Sequence, residues 1–246
     1  MKDNFSRQAG AYAKYRPGYP TALFDFVLAH LQTKELAWDC ATGNGQTARE
    51  LAGHFAKVIA TDISREQLAN AQQAPNIIYK VQPGEETDLD ENSVDLVTIS
   101  QALHWLQVDK FYTEVKRVAK PGSWIAAWMY SLPWVSPAID DWIGRQFYKK
   151  IVGAYWDKKR KHIDAHYGSL AFPFQEIPCP VFSIRSKWTW QEMEGYINTW
   201  SAVQKFISVN GYNPVDALMK EVKPLWSSEP MDIVFPVYMR MGQIHK

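Results

Sequence analysis

Cysteine is scarce in this chain: 246 residues carry only two, Cys40 and Cys179. They stand far apart and outside any metal-ligand spacing, which excludes a disulfide-stapled scaffold and leaves no metal site to expect. They read as free thiols in a reducing compartment, with Cys40 a small core residue. Excess charge of one sign is missing as well. Lys and Arg number 27 against 26 Asp and Glu, a formal net charge of +1, so a protein held to nucleic acid by phosphate neutralisation is not expected. No long apolar run occurs, and Met1-Lys2-Asp3-Asn4 opens polar, so neither a membrane span nor a secretory leader is expected and a cytoplasmic protein is. Internal repeats and low-complexity tracts are lacking too.

What remains is ordinary globular material. Hydrophobic residues make up 46% and charged residues 22%, enough for the packed core of one α/β domain with an insertion or a small cap. Residues 5–33 read as helices, with Pro20-Thr21 marking a start before Phe24, Val27, Leu28 and Leu31. From residue 36 the rhythm is strand, turn, helix. Leu36 to Trp38 is a short strand ending at Asp39, and the next helix presents Ala48, Leu51, Ala52 and Phe55 on one face. Val58 to Ala60 is a second strand ending at Asp62, before a capping box from Ser64 to Gln67. Asn76–Val81 and Ser93–Ser100 give the third and fourth strands, and Ser123–Tyr130 the fifth. Between the last two, Asp109 caps a helix with Phe111, Val115 and Val118, closed by Lys120-Pro121-Gly122. Such alternation implies a parallel sheet with its ligand site at the strands' carboxyl ends. Beyond Tyr130 the regularity fades: helical stretches are expected over 137–161, 190–207 and 214–222, with strands over 181–188 and 233–241.

The informative stretch is WDCATGNGQTARELAGHFAKVIATD, residues 38–62. A tight turn with Gly43 and Gly45 brings bare backbone N–H groups toward a ligand, and Asp62 is placed to accept from two ribose hydroxyls. A nucleoside-containing cofactor follows. Gly43 to Ala48 also satisfies the dinucleotide pattern, which keeps a nicotinamide-dependent oxidoreductase open as an alternative. The strand ends bring further candidates to one edge of the sheet: Gly84, Glu85 and Glu86 after the third strand, and Ser100, Gln101 and His104 after the fourth. Each has a plainer reading. Asp62 could cap the helix at Ser64, the glutamates could be solvated, His104 could be a core histidine, and Lys158 to His162 could be a solvated basic face that attracts an anionic substrate.

The run Asp39-Cys40-Ala41-Thr42-Gly43-Asn44-Gly45 resembles the first motif of class I S-adenosylmethionine-dependent methyltransferases, with Ala41 where a glycine is usual. Ala41 should keep the close approach but lacks glycine's freedom at positive φ. FSRQAGAYAKYRPGYP, VIATDISREQLANA, GEETDLDENSVDLVTISQALHWL, VKRVAKPGS and KWTWQEMEGYINTWSAV extend the likeness to type-11 members, nearest the trans-aconitate methyltransferase-like branch. The resemblance implies a Rossmann-like α/β fold: a mostly parallel seven-stranded sheet, helices on both faces and an inserted aromatic-rich cap. It divides one domain into an N-terminal helical lid (1–33), a cofactor-binding core (34–130), and the rest of the sheet with the cap (131–246). It implies S-adenosylmethionine as cofactor. Backbone at Ala41, Gly43, Gly45 and Gln46 would meet its methionyl part, Asp62 its ribose, and Ile63 its adenine. Glu85 would face the adenine edge, Ser100 and Gln101 the transferable methyl. Tyr12 and Arg16 match the lid, with the arginine able to pair with the cofactor's carboxylate. The acceptor is a small or medium organic molecule, carboxylate or hydroxyl. His104 is the catalytic candidate if a base is needed. A non-catalytic cofactor-binding interaction module is the other alternative.

Overall fold

The computed structural model describes residues 17–246. Eight strands form one sheet: β1 (Leu36–Cys40), β2 (Lys57–Asp62), β3 (Ile77–Val81), β4 (Val94–Ser100), β5 (Ala119–Tyr130), β6 (Gln175–Ile177), β7 (Phe182–Trp188) and β8 (Met231–Gln243). The order is β3-β2-β1-β4-β5-β8-β6, with β7 also on β8. The first five strands pair in parallel, and β8 runs antiparallel to β5. β6 and β7 both line the edge of β8 away from β5, at Met241–Gln243 and Met231–Val237 respectively. The last of the seven expected strand positions is thus shared by two short strands.

The sheet is central because its strands are apolar on both faces. Trp38, Val97 and Ile125 point into one buried cluster, while their neighbours Ala37, Leu96 and Ala126 point into the other. Helices α1 (Thr21–Leu28) and α2 (Gln46–Ala52) pack in the second of these clusters; α4 (Val108–Val118) packs in the first, through Phe111, Val115 and Val118. Asp95 pins the amino-terminal end of the sheet. It accepts from the Glu35 and Leu36 N–H groups at 2.8 Å, from Thr33 Oγ1 at 2.6 Å and from Lys120 Nζ at 2.7 Å. These donors hold its carboxyl below the usual range although the side chain is buried.

Three local expectations need correcting. Asp109 lies inside the first turn of α4, whose N-cap is Gln107 without a side-chain cap. Lys120-Pro121-Gly122 does not close that helix but forms an irregularity within β5, where the register shifts between Val94 and Leu96 and Gly122 takes φ +79°. The helix expected over 190–207 is two, α7 (Trp190–Asn198) and α8 (Ser201–Asn210). Between them Trp200 is extended and drops into the core, 3% exposed.

The chain between β5 and β6 is helical in short pieces: α5 (Pro137–Asp140), a π-helical continuation over Asp141–Ile151, and α6 (Lys161–Asp164). Val152 donates to the Phe147 carbonyl, five residues back, at 3.0 Å. Most aromatic rings here cement this segment to α7, α8 and the sheet. Trp200 lies 6.2 Å from Phe147, 5.8 Å from Tyr148, 5.7 Å from Trp156 and 5.9 Å from Tyr196 between ring centres. The last helix, α9 (Val215–Val222), buries Val215, Leu218, Met219 and Val222. Among the described residues no helix is long and apolar enough to cross a membrane.

Candidate active site

The turn after β1 places three left-handed residues in five: Ala41 (φ 54°), Gly43 (φ 58°) and Gly45 (φ 79°). Ala41 takes the strained conformation in spite of its side chain, so this position demands positive φ whatever residue stands there. At Gly45 a Cβ would also overlap the Tyr79 hydroxyl, which itself donates to the Gln72 carbonyl at 2.6 Å. In front of Gly43 the nearest heavy atom to an added Cβ is 4.0 Å away, leaving bare backbone open. Asp39 lies beneath the turn, fully buried, accepting from Thr42 Oγ1 and from Thr98 Oγ1 at 2.7 Å. Burial pushes its carboxyl up to about 6 against those hydrogen bonds. It orients the turn from below.

Asp62 ends β2 half-buried. Its Oδ2 accepts the Gly43 N–H at 2.9 Å and its Oδ1 the Ser64 N–H at 2.8 Å. Ser64 caps the short helix α3 (Arg65–Ala69) by accepting from the Gln67 N–H at 3.1 Å. The cap and the carboxylate therefore act together, and Ile63 stands half-buried between them. Glu85 accepts the Gln107 N–H at 2.8 Å and so serves the entry to α4 with one carboxylate oxygen. Glu86 is exposed. Gly84 is hemmed in: an added Cβ would overlap Cys40 Sγ and lie 3.3 Å from Leu106 Cδ2.

At the end of β4, Ser100 Oγ accepts from Thr47 Oγ1 at 3.1 Å. Gln101 is left-handed (φ 55°) and donates its backbone N–H to Trp128 O at 2.8 Å and its amide to Tyr130 O at 3.3 Å. Its Oε1 is buried and has no hydrogen-bond partner among the described residues. Such an acceptor is costly unless a ligand donor meets it.

His104 follows on a tight turn, 6% exposed, its Nδ1 3.4 Å from the Tyr167 hydroxyl. Burial, with Arg160, His162 and Lys159 nearby, lowers its pKa to about 3, so the imidazole is neutral. A hollow of about 50 Å³ opens between His104, Gln101, Tyr130, Trp156, Tyr196 and Arg160. Arg160 donates from Nε to the Tyr148 hydroxyl at 2.8 Å and lies 4.7 Å above the Trp156 ring. Lys159 Nζ donates to Trp105 O at 2.9 Å. Of the basic run 158–162, Arg160 is therefore turned toward the hollow while Lys159 stays exposed, which the sequence did not disclose.

Ala41, Gly43, Gly45, Gln46, Asp62, Ile63, Ser100 and Gln101 sit at neighbouring strand ends β1, β2 and β4, where the sheet order reverses direction. Glu85 lies on the loop following β3. Tyr12 and Arg16 lie outside the described residues. The cleft suits a ligand rich in hydrogen-bond donors, such as hydroxyls and an ammonium: bare backbone at Gly43, a strand-end carboxylate, and an unmatched amide oxygen. Fold and cleft together define a Rossmann-like enzyme class that binds a nucleoside cofactor.

Comparison with known proteins narrows the class. A family model described as a methyltransferase domain matches residues 38–127. A candidate methyltransferase of Dictyostelium discoideum is 31% identical over 98% of this chain and 95% of its own length. The probable S-adenosylmethionine-dependent methyltransferase CRG1 of Saccharomyces cerevisiae is 22% identical over 95% of this chain and 92% of that one. The solved structure of a candidate type II methyltransferase from Anaeromyxobacter dehalogenans superposes with TM-score 0.87 at 33% identity, covering 94% of this chain and 99% of that one. This chain belongs to the class I S-adenosylmethionine-dependent methyltransferases. The oxidoreductase alternative is not favoured. Such enzymes can use a Tyr-x-x-x-Lys pair, and Tyr112 and Lys116 on α4 have that spacing, but Tyr112 is 3% exposed and its hydroxyl donates to Ala171 O, while Lys116 is exposed.

Proposed function

We propose that this enzyme methylates an organic acid, forming a methyl ester in the hollow beside His104. The observation that carries the reading is the charge around that histidine: a neutral, weakly basic imidazole set among Arg160, Lys159 and His162. A base with a conjugate-acid pKa of about 3 is poorly matched to deprotonating a hydroxyl near neutral pH. An acceptor that arrives ionised needs no such base, and the Arg160 guanidinium lining the hollow favours it.

Bound S-adenosylmethionine supplies a sulfonium-activated methyl group and leaves as a neutral thioether, and the chain's own work is placement. Backbone at Ala41, Gly43, Gly45 and Gln46 cradles the methionyl part, Asp62 accepts from the ribose, and Ile63 packs on the adenine with Glu85 at its edge. Ser100 and Gln101 border the methyl, and Gln101 Oε1 meets a donor there. Tyr12 and Arg16, ahead of the core-packed α1, would meet the cofactor from the amino-terminal side, and part of 131–246 caps the strand ends. His104 hydrogen-bonds the acceptor, Arg160 sets its charge, and the surrounding rings keep water away. As one carboxylate oxygen gains the methyl, no proton is released. We assign the enzyme to the cytoplasm, where the free thiols of Cys40 and Cys179 fit, with a small molecule rather than nucleic acid as partner.

The test is release of S-adenosylhomocysteine from parallel panels of carboxylic acids, alcohols and amines, with products identified by mass spectrometry. Methyl esters from the acid panel are expected, with turnover reduced by Arg160→Gln. Products only from alcohols or amines would overturn the acid assignment, and no turnover with any panel would favour the non-catalytic module.

A further inference from the structure

The hollow beside His104, about 50 Å³, is far smaller than the several hundred Å³ usual for a small-molecule site. A second hollow of about 580 Å³ adjoins it, sharing Arg160 and Ile163 as lining residues. Its floor is apolar, built from Leu132, Ile163 and Trp134, and Trp134 is 57% exposed although nearly every other tryptophan in the segment is packed.

The charges around it are unequal. Arg145 is held by Asp141 in a two-point contact at 2.5 and 3.0 Å. Asp164, the lining carboxylate, accepts from the Tyr148 hydroxyl at 2.7 Å. His166 is stacked on Tyr238 at 3.6 Å. Lys149, on the exposed face of the π-helical segment, has no hydrogen-bond or ion-pair partner among the described residues. An apolar trough with an uncompensated cation complements an elongated organic anion.

We propose that the acceptor spans both hollows as an elongated dicarboxylic acid. One carboxylate reacts beside His104, the hydrocarbon body lies on Leu132 and Trp134, and the second carboxylate meets Lys149. This rests on the acid-acceptor reading above but adds a tail subsite that reading does not need.

The probes are α,ω-alkanedioates of four to twelve carbons and monocarboxylates of equal length. Each is assayed for S-adenosylhomocysteine release and titrated against protein carrying 5-fluorotryptophan, with the Trp134 fluorine resonance assigned through Trp134→Phe. At the matching length the dioate is expected to show a KM about fivefold below the monoacid, the size of one partly exposed charge pair. Lys149→Gln is expected to bring that ratio toward one, and the Trp134 resonance to shift only with the longer acids. Methylation of short acids with an unmoved Trp134 resonance, or an unchanged ratio in Lys149→Gln, would overturn the tail subsite and leave the acid acceptor standing. A Trp134 shift that depends on Lys149 without any ester product would instead support the hollow as a dioate site and overturn the acid acceptor.

Discussion

Gly43 donates its backbone N–H to the Asp62 carboxylate across 2.9 Å, so the group that ends β2 also fastens the turn that follows β1. One side chain thus holds the shape of the cradle and, on the proposed reading, serves the ligand too. Asp62→Ala strips acceptors from Gly43 and Ser64 and, on the proposed reading, from the ribose. Affinity for S-adenosylhomocysteine is expected to fall by about 1–3 kcal/mol, and the ligand-free protein is expected to melt earlier. Calorimetric titration reads the first and thermal denaturation the second. Wild-type affinity would remove the ribose contact, and an unchanged melting temperature would remove the fastening.

Ala41 holds φ at 54°, where a Cβ is strained by about 1–2 kcal/mol. Glycine relieves that strain but adds unfolded-chain entropy worth about 0.5–1 kcal/mol. Ala41→Gly is therefore expected to leave stability within about 1 kcal/mol of wild type or raise it. Ala41→Val, β-branched in a left-handed position, is expected to cost more than either. Urea unfolding of the three proteins gives the order, and a glycine variant less stable than the valine variant would refute it.

The sheet and its leading cleft were legible because they rest on local patterns: apolar runs of five to seven residues, glycines in a turn, and a carboxylate at or beside the ends of β1 and β2. Two kinds of feature were not. The break at Thr199-Trp200 has no glycine or proline to mark it; the indole's place among Phe147, Tyr148 and Trp156 decides it, and those partners lie far off in sequence. The placing of Lys159 and Arg160 depends likewise on Trp105 and Tyr148, which only the fold brings near. Ala41 shows the converse. The sequence suggests that alanine forgoes positive φ, yet the hydrogen bond from Thr42 N to Thr61 O at 2.9 Å, with the Gly43–Asp62 contact, outweighs one residue's preference.

Gly84 has no room for a side chain because Cys40 Sγ occupies the space, with Leu106 Cδ2 3.3 Å from an added Cβ. Gly84→Ala is expected to destabilise by about 1–3 kcal/mol through overpacking. Removing the sulfur should restore room, so Gly84→Ala combined with Cys40→Ala is expected to be more stable than the sum of the separate losses implies. A double-mutant cycle from denaturant midpoints measures that coupling. Simple additivity would mean that the two residues do not compete for space.

His104 and Asp39 bend the stability of this protein with pH in opposite senses. The imidazole takes its proton near pH 6.5 in the unfolded chain but only near pH 3 when folded, because burial and the Arg160, His162 and Lys159 charges oppose it. Across that window the unfolded state binds more protons, so stability falls as the solution is acidified. Asp39 moves the other way: its buried carboxyl protonates near pH 6 folded and near 3.8 unfolded, so between these values the folded state binds more protons and gains stability on acidification. The two partly offset each other between about pH 4 and 6 in the wild type. His104→Gln is expected to lose stability less steeply toward acid than wild type, and Asp39→Asn more steeply. The slopes, not the heights, carry the test, because Asp39→Asn also trades a carboxylate that accepts from Thr42 and Thr98 for an amide with a single acceptor oxygen. Urea midpoints recorded from pH 7 to pH 4 supply them, and three parallel curves would show that neither group titrates differently on folding.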